Sequence, residues 1–420
     1  MSEKKKILLA GMIGNVLEWY DFVVYGFLAA IIGKLFFPSG DETVELLKSF
    51  AVFAVGFIMR PVGAVLFGYI GDKFGRKTAL TISIVLMAIS TTAIGLLPTY
   101  ETVGILAPIL LVVLKLIQGL SVGGEYTTSI SFLVEHAPKD KRGLYGSIGI
   151  LGAVIGILLG SASGAIITKL LTEEQLYSWG WRVLFLSGVL LGFVGYFIRR
   201  NIEETPKFLE LEYEELKPKS PLKELFQKYK DRLLRAFALS TFQAVGFYTI
   251  FVYVANHLIV FLKFPKSTAL TINTVSMIIL TLLIPVMAWL SDKIGRKPII
   301  LFSTGLTILM AYPLFVLISS GSFENALIGH VLFAIITAGF MAVLPTTLVE
   351  LFPTRVRNSG YSIGYNLPFA IFGGTSPLIA TWLVKITNNL AAPSFYLIVA
   401  AAVAFLAGLV LKETAKLDLE

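Results

Sequence analysis

Six polar residues stand in apolar stretches that give them little reason to be there. Glu18 and Asp21 lie in the first long apolar run, Arg60 in the second, and Lys115, Gln118 and Glu125 in the fourth. Glu18 and Asp21 are three positions apart and share one helix face. At about 100° per residue Gln118 and Glu125 are nearly in line, with Lys115 roughly 80° away. Counting about 1.5 Å per residue from the nearest charged edge, Arg60 lies about 18 Å deep and the two acids of the first run about 15–20 Å. The same count sets Glu125 level with Arg60 and Lys115 about 15 Å nearer the other face. Ionisable groups at such depth are costly against lipid and belong on an interior cavity. Arg60 cannot shed its proton and needs a carboxylate or a substrate anion beside it. The expected arrangement is one interior cluster of Glu18, Asp21, Arg60 and Glu125. Three acids and one base cannot all be ionised there, so at least one acid holds a proton reversibly, which is the chemistry of a proton-coupled carrier. Asp21, Glu125 and Glu18 are the candidates, and coupling among them leaves the carrier open. The competing reading of any one acid is a paired member of a buried polar network.

These residues are positioned by helices that cross a bilayer. With 56% hydrophobic and 15% charged residues in 420, the chain departs from soluble composition. Continuous runs of about 20 apolar residues recur near 9–36, 46–70, 78–97, 104–135, 143–169, 181–199, 234–262, 268–290, 298–319, 326–351, 359–385 and 393–411. They predict an all-α membrane protein of twelve spanning helices, and their lack of two-residue alternation excludes a barrel. Most of the 35 Lys and Arg fall on one side, so both termini are expected in the cytoplasm of a multi-pass inner-membrane protein. The net charge of +8 follows from that topology and gives no support to nucleic-acid binding. Glu18 and Asp21 interrupt the first run, and no small-residue cleavage site follows, so it reads as a retained helix. The absence of cysteine removes disulfides and thiol catalysis.

The chain is duplicated. Gly68-Tyr-Ile-Gly-Asp72-Lys-Phe-Gly75-Arg76-Lys77 returns as Ala288-Trp-Leu-Ser-Asp292-Lys-Ile-Gly295-Arg296-Lys297, at the same place in each half. The glycines allow a short turn between two helices, and Asp72, Arg76, Asp292 and Arg296 supply charges for helix ends and neighbouring loops. The expected domains are a six-helix bundle over 1–200, a cytoplasmic linker over 201–233 and a second six-helix bundle over 234–420. The linker, rich in Lys, Arg, Glu and Pro, reads as a solvated or membrane-surface connector. Gly152, Gly156, Gly160 and Gly164 recur every fourth residue and read as a packing stripe. The second half offers neutral hydrogen-bonding groups instead of buried charge. Gln243, Tyr248, Tyr365 and Asn366 are candidates to bind substrate, as are Tyr25 and Gln118 in the first half, although buried tyrosines also serve as packing. His257 and His330 fall near the outer ends. Three histidines at no metal-ligand spacing and the lack of a phosphate-binding loop speak against an enzyme or a nucleotide-driven pump, with no metal or cofactor expected.

These residues resemble the major facilitator superfamily, and within it the metabolite:proton symporter family of organic-acid, proline/betaine and shikimate carriers. The similarity spans essentially the whole chain. It is carried by Gly14-Asn-x-x-Glu18-Trp-Tyr-Asp21-Phe, Arg60-Pro-x-Gly, Gly68 to Lys77, Gln118-Gly-x-Ser-x-Gly-Gly-Glu125-Tyr126, Trp179-Gly-Trp-Arg182, Glu204-Thr-Pro206-x-Phe208 and Glu350-Leu-Phe-Pro-Thr-Arg-Val-Arg357. The resemblance implies two six-helix bundles around a central cavity, alternating access, uptake driven by a proton, and a chain that works as a monomer. It also implies that Asp72 helps close the cytoplasmic side. Lys115 stands where the family usually has Arg, which weakens any bidentate clamp on a dicarboxylate. Thr127-Thr128 replace small residues and are expected to reshape the cavity wall, and the absence of a Gly-Pro pair in the fifth helix argues against drug export. The leading expectation is a proton symporter for a small organic acid, held by Arg60 and Lys115. The alternative is a zwitterionic osmolyte such as proline or betaine, favoured by Trp19, Tyr20 and Tyr25 as an aromatic cage. A membrane sensor that binds a metabolite without moving it is the remote third reading.

Overall fold

The structure, a computed structural model, describes residues 3–40, 42–201, 203–213 and 220–419, and its regular elements are helices. Among the described residues ten helices are long and apolar enough to cross a membrane. The remaining two of the expected twelve are the first helix, followed after a break by Ala29–Phe36, and the interrupted run from Arg357 to Thr387. Two compact units emerge. One comprises Met1–His136, Ile148–Glu224 and Thr354–Ile363; the other comprises Ala137–Ser147, Leu225–Pro353 and Gly364–Glu420. Each unit thus takes in a short segment from the other half of the sequence.

The helices of the first half are α1 (Glu3–Phe27), α2 (Glu42–Phe74), α3 (Arg76–Leu96), α4 (Leu106–Glu135), α5 (Arg142–Leu170) and α6 (Gly188–Arg200). Close backbone approach sets their packing. A Cβ on Gly123 of α4 would strike the Arg60 carbonyl of α2, one on Gly119 would strike that of Gly56, and Gly63 of α2 opposes the Leu120 carbonyl. In lipid such contacts, rather than water exclusion, hold helices together. The glycine stripe of α5 does the same against α1: a Cβ on Gly152 would lie 2.8 Å from Met12 Cγ, and one on Gly156 would meet the Val16 carbonyl.

The second half supplies α7 (Lys230–Phe247), α8 (Lys266–Ile294), α9 (Arg296–Ile318), α10 (Phe323–Leu351), α11 (Arg357–Pro368) and α12 (Pro393–Val410). Gly75 between α2 and α3 and Gly295 between α8 and α9 adopt φ of 103° and 106°, where a side chain would be strained. α7 continues through a wide turn at Tyr248–Tyr253 into Val254–Val260. His330 Nε2 from α10 meets the Ile250 carbonyl of that turn at 2.8 Å. Such bulges leave backbone groups that a neighbour must satisfy. His257 lies between Tyr253 Oη at 3.1 Å and Ser319 Oγ at 2.9 Å, so both histidines are buried and engaged.

The linker departs from expectation. α7 begins at Lys230. Thr205, Phe208 and Leu225 are buried. The Glu204 carboxylate accepts the backbone N–H of Arg76 and of Lys77, both at 3.0 Å. A helix start leaves N–H groups unpaired, and Gly75 has no side chain to cap α3, so Glu204 is drawn in and the connector's first turn packs. Residues 202 and 214–219 of this stretch lie outside those described.

Candidate functional site

A cavity of about 40 Å³ lies within the first unit, between α1, α2 and α4. Glu18 and Asp21 enter from α1, Arg60 from α2, and Lys115 and Gln118 from α4, with Trp19, Phe53 and Phe57 supplying apolar wall. The α2 and α4 glycines let Arg60 and Lys115 reach the same space. Arg60 Nη2 stands 3.6 Å from Glu18 Oε1, and Lys115 Nζ stands 3.8 Å from Asp21 Oδ2. Both separations exceed the roughly 2.7–2.9 Å of a charge-assisted hydrogen bond, yet all four side chains are buried. The cations lean on aromatic faces: Lys115 Nζ is 4.4 Å from the centre of the Tyr25 ring, and the Arg60 guanidinium 5.5 Å from that of Phe57. Among the described residues Glu18 Oε2, Asp21 Oδ1, Arg60 Nε and Gln118 Oε1 have no hydrogen-bond partner. The site therefore holds two opposed charge pairs, net neutral when all four are ionised, each loosely joined and each with capacity to spare.

Several expectations change. The single cluster of Glu18, Asp21, Arg60 and Glu125 divides. Lys115, expected well away toward the other face, joins Asp21. Glu125 does not line the cavity; Arg199 binds both of its carboxylate oxygens. Arg199, which the sequence reading did not single out, is fully buried. Tyr25 does not offer its hydroxyl to a ligand: it donates to the Ser49 carbonyl at 3.1 Å, and its ring supports Lys115. Gln118 keeps Nε2 on Thr91 Oγ1 at 2.9 Å. Thr127 and Thr128 do not shape the cavity; Thr127 Oγ1 is 2.7 Å from Ser362 Oγ, and Thr128 Oγ1 accepts from Asn358 Nδ2 at 3.1 Å. Gln243, Tyr248, Tyr365 and Asn366 belong to the second unit and are buried there. Tyr365 stacks on Phe369 at 4.4 Å, Tyr248 meets the same ring edge-on, and Gln243 Oε1 has no partner among the described residues.

The duplicated motif builds the same cluster twice. In the first unit Asp72 accepts the backbone N–H of Asn358 at 2.9 Å and of Ser359 at 2.7 Å, at the start of α11, and pairs with Arg76 at 3.2 Å. Glu135 is shared by Arg76 at 3.1 Å and Arg357 at 2.8 Å. In the second unit Asp292 accepts from Gly143 at 2.7 Å and Leu144 at 3.0 Å, at the start of α5, and pairs with Arg296 at 2.8 Å. Glu350 is shared by Arg296 at 3.2 Å and Arg142 at 3.1 Å. Glu413 caps α9 at 2.9 Å as Glu204 caps α3. Sequence reasoning singled out the aspartates and the first arginines but missed Glu135, Arg142 and Glu413 as their counterparts. The signal was present: Glu135-x-x-Pro138-x-x-x-Arg142 recurs as Glu350-x-x-Pro353-x-x-x-Arg357, and Glu204-Thr as Glu413-Thr.

With the geometry in place, the chain can be compared with known proteins. The family model described as sugar (and other) transporter matches residues 7–217 and 210–420. The proline/betaine transporter of Escherichia coli is 38% identical over 99% of this chain and 85% of that protein. The glycine betaine/proline/ectoine/pipecolic acid transporter of Dickeya dadantii is 38% identical over the same shares. A putative proline/betaine transporter of Staphylococcus aureus is 37% identical over 96% of this chain and 87% of its own length. Among solved structures, a major facilitator superfamily proton:xylose symporter bound to 6-bromo-6-deoxy-D-glucose superposes with a TM-score of 0.80 at 21% identity, covering 98% of this chain and 97% of the other. At that identity the likeness speaks to the fold.

Proposed function

The chain belongs to the sugar (and other) transporter family of the major facilitator superfamily, in its metabolite:proton symporter branch, and from that premise we propose that it imports a zwitterionic osmolyte of the proline or betaine kind together with a proton. The observation that carries this reading is the neutral cavity with two loose acid–base pairs. A zwitterion is also neutral overall and offers one charge of each sign. Its carboxylate can draw on Arg60 and Lys115, its cationic nitrogen on Glu18, Asp21 and the faces of Trp19, Phe53 and Phe57. An organic anion would leave the buried site with an uncompensated negative charge unless protons enter with it. The relatives named for proline and betaine favour the same choice. The small cavity accepts a substrate as the long pairs part. A proton on Asp21 or Glu18 frees the paired cation for the carboxylate, which links the two cargoes. Asp72, Arg76, Asp292 and Arg296 act as gates, releasing and recapturing helix starts while the halves 1–200 and 234–420, joined by 201–233, alternate access.

The experiment is uptake into proteoliposomes under an imposed proton gradient, with labelled proline and betaine set against labelled mono- and dicarboxylates. Accumulation of the zwitterions, lost in Asp21→Asn or Glu18→Gln while exchange persists, is the expected result. Accumulation of carboxylates alone would restore the organic-acid reading, and exchange that no gradient can drive would remove the proton.

A further inference from the structure

Of the three acids expected to cluster, Glu125 is the one that does not line the cavity, and its surroundings differ in kind from those of Glu18 and Asp21. Arg199, at the end of α6, spans the carboxylate: Nη2 binds Oε1, and Nη1 reaches Oε2 at 3.2 Å. Ser83 of α3 donates a further hydrogen bond to Oε2, and Arg199 Nη1 also donates to the Leu80 carbonyl. Both oxygens of Glu125 are thus occupied by donors, and neither side chain of the pair is exposed. α1 closes the remaining side: a Cβ on Gly14 would fall onto the Glu125 carboxylate and Arg199 Nη2. The charged groups facing Glu125 are Arg199 from α6 and, across the space toward the cavity, Glu18 of α1 with its partner Arg60 of α2. Ser83 and Leu80 complete the shell from α3.

A two-pronged guanidinium supplies both the opposite charge and the geometry an ionised carboxylate requires. A proton arriving on Glu125 would displace a donor already in place and remove the negative charge that both Arg199 nitrogens face, which is costly for a buried ion pair. Protonating Glu18 or Asp21 also releases its cation, but each keeps an oxygen without a hydrogen-bond partner among the described residues, and the released Arg60 or Lys115 lines the cavity where a substrate carboxylate can meet it.

We propose that Arg199 is a positioning residue that keeps Glu125 permanently ionised, making it a fixed negative charge beside Glu18 and Arg60 and leaving proton exchange to the cavity acids. Loss of Arg199 alone turns Glu125 into an additional protonatable site. The consequence for transport rests on the proton-coupled reading; the protonation state itself does not.

The test is infrared difference spectroscopy of the full-length protein in lipid bilayers, acid minus alkaline, read in the carboxylic-acid C=O region. Four variants accompany the unaltered protein: Glu125→Gln, Arg199→Gln, Arg199→Lys, and the double Glu125→Gln/Arg199→Gln. The expected result is that Glu125→Gln leaves the carboxylic-acid signal unchanged, Arg199→Gln adds a band, the double variant removes it, and Arg199→Lys adds none. Loss of an existing band in Glu125→Gln would overturn the proposal, as would an Arg199→Gln spectrum identical to the unaltered protein. Should Arg199→Gln fail to insert, the Glu125→Gln spectrum decides, because a fixed carboxylate contributes no band to lose. The uptake assay runs in parallel. Spectra as expected with no gradient-driven uptake would remove the proton-coupled reading and leave this assignment standing, and the converse pattern would do the reverse.

Discussion

At 3.8 Å, Lys115 and Asp21 are close enough to need one another and too far apart to be well bonded. Removing one member of a buried pair typically costs about 3–5 kcal/mol, because the other charge is left stranded. Lys115→Gln is therefore expected to lower thermal stability in detergent by that order, and the double variant Asp21→Asn/Lys115→Gln to recover most of the loss. A double variant no more stable than Lys115→Gln would mean that the pair is not electrostatically coupled. Tyr25 gives a contrasting case. Its hydroxyl is spent on the Ser49 carbonyl, so Tyr25→Phe should cost about 0.5–1.5 kcal/mol of stability. The ring under Lys115 survives, so the KM for substrate should stay unchanged in uptake assays. A large rise in KM would return Tyr25 to the substrate-binding set where sequence reading had placed it.

Glycine contacts between α2 and α4 decide whether Arg60 and Lys115 reach a common space. Gly123 lies against the Arg60 carbonyl, so Gly123→Ala forces the α2 backbone to move at the residue whose side chain matters most. Overpacking of this kind costs about 1–3 kcal/mol, and the same shift should impair uptake beyond the stability loss. Gly374→Ala is the control: no atom lies within contact of a Cβ there, and stability should change by less than about 0.5 kcal/mol. Thermal unfolding of both variants, paired with initial uptake rates, separates a packing glycine from one with open space around it.

At the scale of the molecule, the two charge clusters share no residue in the contacts among the described residues, although each binds its aspartate to a helix start and its glutamate to two arginines. Hydrogen bonds to a charged acceptor contribute about 1.5–3 kcal/mol. Asp72→Asn and Asp292→Asn should each lower stability by that amount, and the double variant by nearly the sum, since separate sites add within about 0.5 kcal/mol. A strong departure from additivity, measured by unfolding midpoints of the three variants, would show that the clusters act as one device.

Composition and run length determined the membrane fold from the sequence alone, because the bilayer imposes one length and one polarity on every spanning helix. The duplication was equally legible, since a repeated motif needs no coordinates. Depth counting along helices also brought Glu18, Asp21 and Arg60 to a common level. It set Lys115 apart from Asp21, whereas the two lie 3.8 Å from one another. Which carboxylate meets which cation is a matter of distances between helices, and glycines that read as a bland stripe set those distances. Only the tertiary structure could therefore separate Glu125, closed by Arg199, from the two acids that remain open to the cavity.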